Sequence, residues 1–84
     1  MSRTDSEVRQ LLVEQFGVPA GRIESDRPLQ DLSLDSLALE ELRTVAEEHF
    51  GVDLERAVLS TRDTIGALVR VIEAATPAAA VGAP

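Results

Sequence analysis

The stretch "LSLDSLALEEL", residues 32–42, changes character in its middle. Up to Leu34 the leucines keep no sustained period. From Leu37 onward apolar residues recur at the i, i+3, i+4 spacing of an amphipathic helix. That pattern predicts a helix over residues 37–50, with Ser36 in its first turn and Gly51 at the stop position.

On a helical wheel of about 100° per residue, Ala38, Leu39, Leu42, Val45, Ala46, His49 and Phe50 share one arc and face a core. The opposite arc holds Glu40, Glu41, Arg43, Thr44, Glu47 and Glu48. Leu37 falls among these carboxylates, so a large apolar side chain is expected to stand in solvent directly after Ser36. Charges that steer and an apolar group that holds together make a docking surface. The plainer reading is a solvated helix face with a single exposed leucine.

Outward from this helix, residues 18–34 contain Pro19, Gly21 and Pro28 and read as a long loop, with Ile23, Leu29 and Leu32 tucked inward. Before the loop, Thr4-Asp5-Ser6-Glu7 fits a capping box, and Val8, Leu11, Leu12 and Phe16 follow at helical spacing. A first helix over residues 5–16 is expected, stopped at Gly17. "FGV" occurs after both helices, at 16–18 and 50–52, as two similar helix ends and no internal repeat.

Downstream, residues 52–60 are too few for a long helix and are expected to form a short, irregular third one. Asp63 or Thr64 can cap a last helix ending near Ala75, whose Ile65, Leu68, Val69 and Ile72 form an apolar stripe. The tail "TPAAAVGAP", residues 76–84, has no charge and suits a disordered end or a linker stub. The expected domain therefore covers residues 1–75. Its architecture is all-α: a four-helix bundle with a short third helix and a long loop between the first two.

Composition limits what such a domain can do. The chain has 84 residues, enough for one small domain. Fifteen acidic against eight basic residues give a net charge of -7, which argues against nucleic acid or an anionic membrane as partner and for a basic protein surface. There are no cysteines, so no disulfide, thiolate metal site or nucleophilic thiol belongs to the chain itself. One histidine and scattered acids lack the spacing of a metal site. The N-terminal segment lacks a secretory apolar core, no apolar run reaches membrane-spanning length, and a cytoplasmic, monomeric protein is expected.

Ser36 remains to be explained. Serine is a favoured helix cap, and Asp35 competes for the same post. As a nucleophile Ser36 would need a base, and His49 lies thirteen residues along the same helix, about 20 Å away at 1.5 Å per residue. The other reading is a serine that a different enzyme modifies, at a helix start where the N-terminal dipole favours an attached phosphate.

At this point "DLSLDSLALEEL", residues 31–42, resembles the phosphopantetheine attachment motif of acyl carrier proteins. The resemblance runs over residues 8–72. It includes Leu29-Gln30-Asp31-Leu32, the Asp35-Ser36-Leu37 core, the acidic second helix closing on Glu48-His49-Phe50-Gly51, and Thr64-Ile65 at the start of the last helix. It implies that Ser36 carries 4'-phosphopantetheine, drawn from coenzyme A, and that acyl groups ride as thioesters on its thiol. It implies that Asp35 assists recognition by the phosphopantetheinyl transferase. Leu37, Glu40, Glu41, Glu47 and Glu48 would meet basic docking surfaces on partners such as an acyltransferase, a ketosynthase or an adenylate-loading enzyme.

Two positions depart from the family pattern: Ser33 stands where glycine is usual, and Arg43 interrupts the acidic face, with a bearing on partner choice. On this resemblance the protein is a carrier for polyketide or fatty-acid type biosynthesis and has no turnover of its own. An aminoacyl or peptidyl carrier of nonribosomal peptide synthesis uses the same serine and arm. An acidic helical interaction module, with Ser36 only a cap, is the alternative of a different class.

Overall fold

A computed structural model describes residues 3–75, and the expected tail at 76–84 lies outside the described residues. Three α-helices form: α1 (Arg3–Phe16), α2 (Ser36–Phe50) and α3 (Ile65–Ala75). Helix α1 begins two residues earlier than the capping box implies, which places Thr4 inside the helix. Its first turns are laced by i, i+4 pairs, Arg3 with Glu7 at 3.2 Å and Asp5 with Arg9.

Both α1 and α2 stop at the glycines expected to stop them. Gly17 and Gly51 adopt φ of +67° and +66°, the left-handed conformation that costs glycine least. Past those glycines, Val18 N–H donates to the Leu12 carbonyl at 3.0 Å and Val52 N–H to that of Glu47 at 3.1 Å, so orphan carbonyls at both helix ends are satisfied.

The first loop is ordered by burial. Ile23, Leu29 and Leu32 turn inward as expected, and Val18 and Leu34 join them, all at 5 % exposure or less. Two short 3-10 turns, Ala20–Arg22 and Leu29–Leu32, give these side chains their spacing. The Arg9 guanidinium ties the loop to α1 by donating to the Ile23 carbonyl at 2.6 Å and to Ser25 Oγ at 2.8 Å.

The same loop is stitched to the segment before α3. Leu29 N–H donates to the Asp63 carbonyl at 2.9 Å and Gln30 N–H to that of Thr61 at 2.8 Å, while Gly66 N–H donates to the Ser25 carbonyl at 2.9 Å. Helix α3 packs against α1 and buries the expected stripe of Ile65, Leu68, Val69 and Ile72. Between the two candidate caps, Thr64 takes the helix end, its Oγ1 accepting from Ala67 N–H at 3.1 Å, while Asp63 accepts from Ser60 N–H at 2.7 Å.

The short third helix does not form, so the described residues make a three-helix domain and not the expected four-helix bundle. Residues 52–64 hold turns instead. Their amides are claimed locally: Ala57 N–H by the Leu54 carbonyl at 3.0 Å, Glu55 N–H by Asp53 Oδ1 at 2.9 Å and Leu54 N–H by Glu47 Oε2 at 2.7 Å. Acidic side chains that accept from nearby backbone amides compete with the helical ladder. The segment also buries only Leu54, leaving no apolar stripe to reward a helix.

Candidate functional site

Ser36 is the first residue of α2 and is exposed. The cap is Asp35, in extended conformation, whose Oδ1 accepts from Ala38 N–H at 2.8 Å. The choice left open between the two residues is thus decided for Asp35. The Ser36 hydroxyl carries no capping duty and faces outward.

The backbone leading into this end is unusual. Ser33 has φ +64°, a left-handed conformation that is uncommon for a residue with a side chain. Its N–H closes the Leu29–Leu32 turn by donating to the Gln30 carbonyl at 3.1 Å. The turn reverses the chain so that Leu34 is buried while Asp35 and Ser36 emerge. A position that needs a left-handed backbone is one where glycine is the easy solution.

Beside Ser36 a groove of about 350 Å³ opens, lined by Gln30, Ser33, Leu34, Asp35, Ser36 and Thr61. The sequence pattern marks Gln30 only as part of the Leu29-Gln30-Asp31-Leu32 stretch and does not mark Thr61. Thr61 lies 25 residues from Ser36, and the backbone bonds from Gln30 to Thr61 and from Leu29 to Asp63 bring the two segments together.

The outer face of α2 matches the wheel. Leu37 is 72 % exposed, and Glu40, Glu41, Thr44 and Glu48 are exposed around it. Arg43 and Glu47 are drawn partly inward. Arg43 lies 3.8 Å from Glu40 with its Nε buried and unpartnered, and Glu47 accepts from Leu54 N–H. A second apolar side chain, Val58, stands 92 % exposed on the loop that the third helix was expected to occupy.

On the inner face Leu39, Leu42 and Ala46 are buried as expected, but His49 is not a core residue. Its ring turns to α1 and meets Glu7 Oε1 through Nε2 at 2.7 Å. This bond holds the Glu7 carboxyl below its ordinary range, Arg3 acts in the same direction, and partial burial opposes them. His49 is therefore engaged at the far end of α2 and offers Ser36 no base. Among the described residues no cluster of three or more acidic or histidine side chains could hold a metal ion, and no helix is long and apolar enough to cross a membrane.

Residues 6–72 match the protein family described as "Phosphopantetheine attachment site". The chain belongs to this family of phosphopantetheine-binding carriers. Among curated relatives, an acyl carrier protein of Saccharopolyspora erythraea is 38 % identical over 60 residues, 70 % of this chain and 63 % of that protein. The chain thus matches less than two thirds of that relative's length. No solved structure matches significantly. The prosthetic group of this carrier domain is 4'-phosphopantetheine. What it supplies is a flexible arm ending in the thiol that the cysteine-free chain lacks.

Proposed function

We propose that Ser36 is the attachment residue, and that this carrier holds acyl intermediates as thioesters for polyketide or fatty-acid type biosynthesis. One observation carries the reading: Asp35 caps α2, so the adjacent Ser36 hydroxyl is exposed and free of a structural task. An interaction module with Ser36 as cap loses its main support at the same point.

The chain contributes presentation and no catalysis. Ser36 Oγ would attack the phosphorus that links the arm to the rest of coenzyme A, and the pyrophosphate P–O bond would break with adenosine 3',5'-bisphosphate as leaving group. The serine proton would pass to a base of the phosphopantetheinyl transferase, because the one histidine is engaged with Glu7. Asp35, exposed beside Ser36, offers the transferase a carboxylate to recognise. The exposed amide end of α2 stabilises the phosphodiester once it is in place.

Leu37 with Glu40, Glu41 and Glu48 forms the outward docking surface for basic partner enzymes, the acyltransferase or ketosynthase class among them. Arg43 and Glu47, held inward, shape that surface. Acyl cargo is the reading favoured by the likeness to the Saccharopolyspora acyl carrier protein. The site of action is the cytoplasm.

The test is intact-protein mass spectrometry after incubation with coenzyme A and a broad-specificity transferase, with peptide mapping. One phosphopantetheine-sized increment on Ser36, absent in a folded Ser36→Ala variant, supports the assignment. An unmodified, folded wild-type protein beside a carrier that loads overturns it.

A further inference from the structure

The groove beside Ser36 has a construction that simple presentation of a serine does not require. It lies between the Leu29–Leu32 turn and the segment before α3, with Gln30, Ser33 and Thr61 around its polar margin and Leu34 behind them. The two backbone bonds from Leu29 to Asp63 and from Gln30 to Thr61 fix its width. The side chains of Gln30, Ser33 and Thr61 make no hydrogen bond to other described residues. Their hydroxyls and amide are donors and acceptors open to a guest.

The chemistry of the lining matches one guest that is necessarily near. The phosphopantetheine arm beyond its phosphate is uncharged, with two amides, a hydroxyl and a pair of methyl groups. Such a chain needs scattered polar partners and some apolar contact, and it has no use for a carboxylate-lined surface. On α2's outer face it would meet Glu40, Glu41 and Glu48, whereas the one charged residue in the groove is Asp35, already bonded to Ala38 N–H.

Resting on the reading that Ser36 takes the arm, we infer that the resting arm folds back into this groove, with the Gln30 side-chain amide and the Thr61 hydroxyl as its hydrogen-bond partners. Tethering makes even a weak site sufficient, because a short flexible linker holds its end at an effective concentration of about a millimolar or more. The groove then keeps the arm off the docking face of α2 between encounters. A partner that docks on α2 draws the arm out of the groove to reach its thiol.

The experiment uses isotopically labelled full-length chain loaded from unlabelled coenzyme A, with loading checked by mass. The expected result is a set of nuclear Overhauser contacts from the arm to the Thr61 methyl and the Gln30 side-chain amide. Backbone amide shifts at Gln30, Ser33 and Thr61 should exceed those at Gln10 on α1. Gln30→Ala and Thr61→Ala, each folded and each fully loaded, should lose those contacts and return the Ser33 amide toward its unloaded position.

A loaded protein whose arm shows no contact with either residue overturns the inference while leaving the attachment reading intact. So does one whose arm contacts Leu42 and Ala46 in the core instead. A folded protein that takes no mass increment at Ser36 overturns both.

Discussion

The two ends of α2 are held by different means. At the N-terminal end the incoming loop buries five aliphatic side chains and is bonded through its backbone to the segment before α3. At the C-terminal end the outgoing segment buries only Leu54. Val52, Ala57 and Leu59 pack against the core only in part, and polar ties add to them: Glu47 to Leu54 N–H, and His49 to Glu7. Burial is insensitive to salt and to mild changes of pH, whereas polar ties at a surface are screened and titrate. The end that presents Ser36 is thus the firmly built one.

Substitution of one aliphatic residue in each loop is the strongest way to break this comparison. Leu29 in the first loop is 0 % exposed and Val58 in the second is 92 % exposed. Leu29→Ala should lose about 2–5 kcal/mol in denaturant unfolding, and Val58→Ala should stay within about 0.5 kcal/mol. Similar losses at both sites would show the two loops to be equally integrated.

A smaller effect sharpens the firm end itself. Asp35→Ala removes the cap and should cost about 1 kcal/mol, while Ser36→Ala should change stability by less than about 0.5 kcal/mol. The reverse order in thermal melts would return the cap to Ser36.

The polar end is expected to respond to acid. Glu7 has a depressed carboxyl, chiefly through its bond with His49. A depressed carboxyl contributes stability above its unfolded-state value, and the contribution is lost as pH falls through the folded-state value, which here lies below the ordinary carboxylate range. Glu7→Gln should therefore flatten the acid limb of the stability curve followed by circular dichroism. An unchanged acid limb would show that the Glu7–His49 contact contributes nothing in solution.

The smallest change in stability is expected at the docking face. Leu37→Ala should leave unfolding within about 0.5 kcal/mol of the parent yet weaken association with a partner enzyme, and that association should itself weaken as salt rises. Salt-independent binding would remove the steering role from Glu40, Glu41 and Glu48.

Much of this protein follows from short-range pattern. The extents of α2 and α3, the glycine stops at 17 and 51, the buried faces of all three helices and the exposure of Leu37 depend on periodicity and local backbone freedom, both of which are written in adjacent residues. The Asp35-Ser36-Leu37 motif and its setting likewise point to a phosphopantetheine carrier without reference to the fold.

Tertiary structure decided the rest, because the deciding contacts join distant residues or depend on one dihedral. Asp and Ser are nearly equal as caps, and the left-handed turn at Ser33 with the burial of Leu34 set the backbone that gives the post to Asp35. His49 sits on the apolar arc of its helix yet pairs with Glu7, 42 residues away. The missing third helix reflects amides claimed by Asp53 and Glu47 where the spacing of apolar residues had left room for a helical turn. The groove beside Ser36 is held by the backbone hydrogen bonds from Gln30 to Thr61 and from Leu29 to Asp63, and periodicity along the chain carries no information about such pairings.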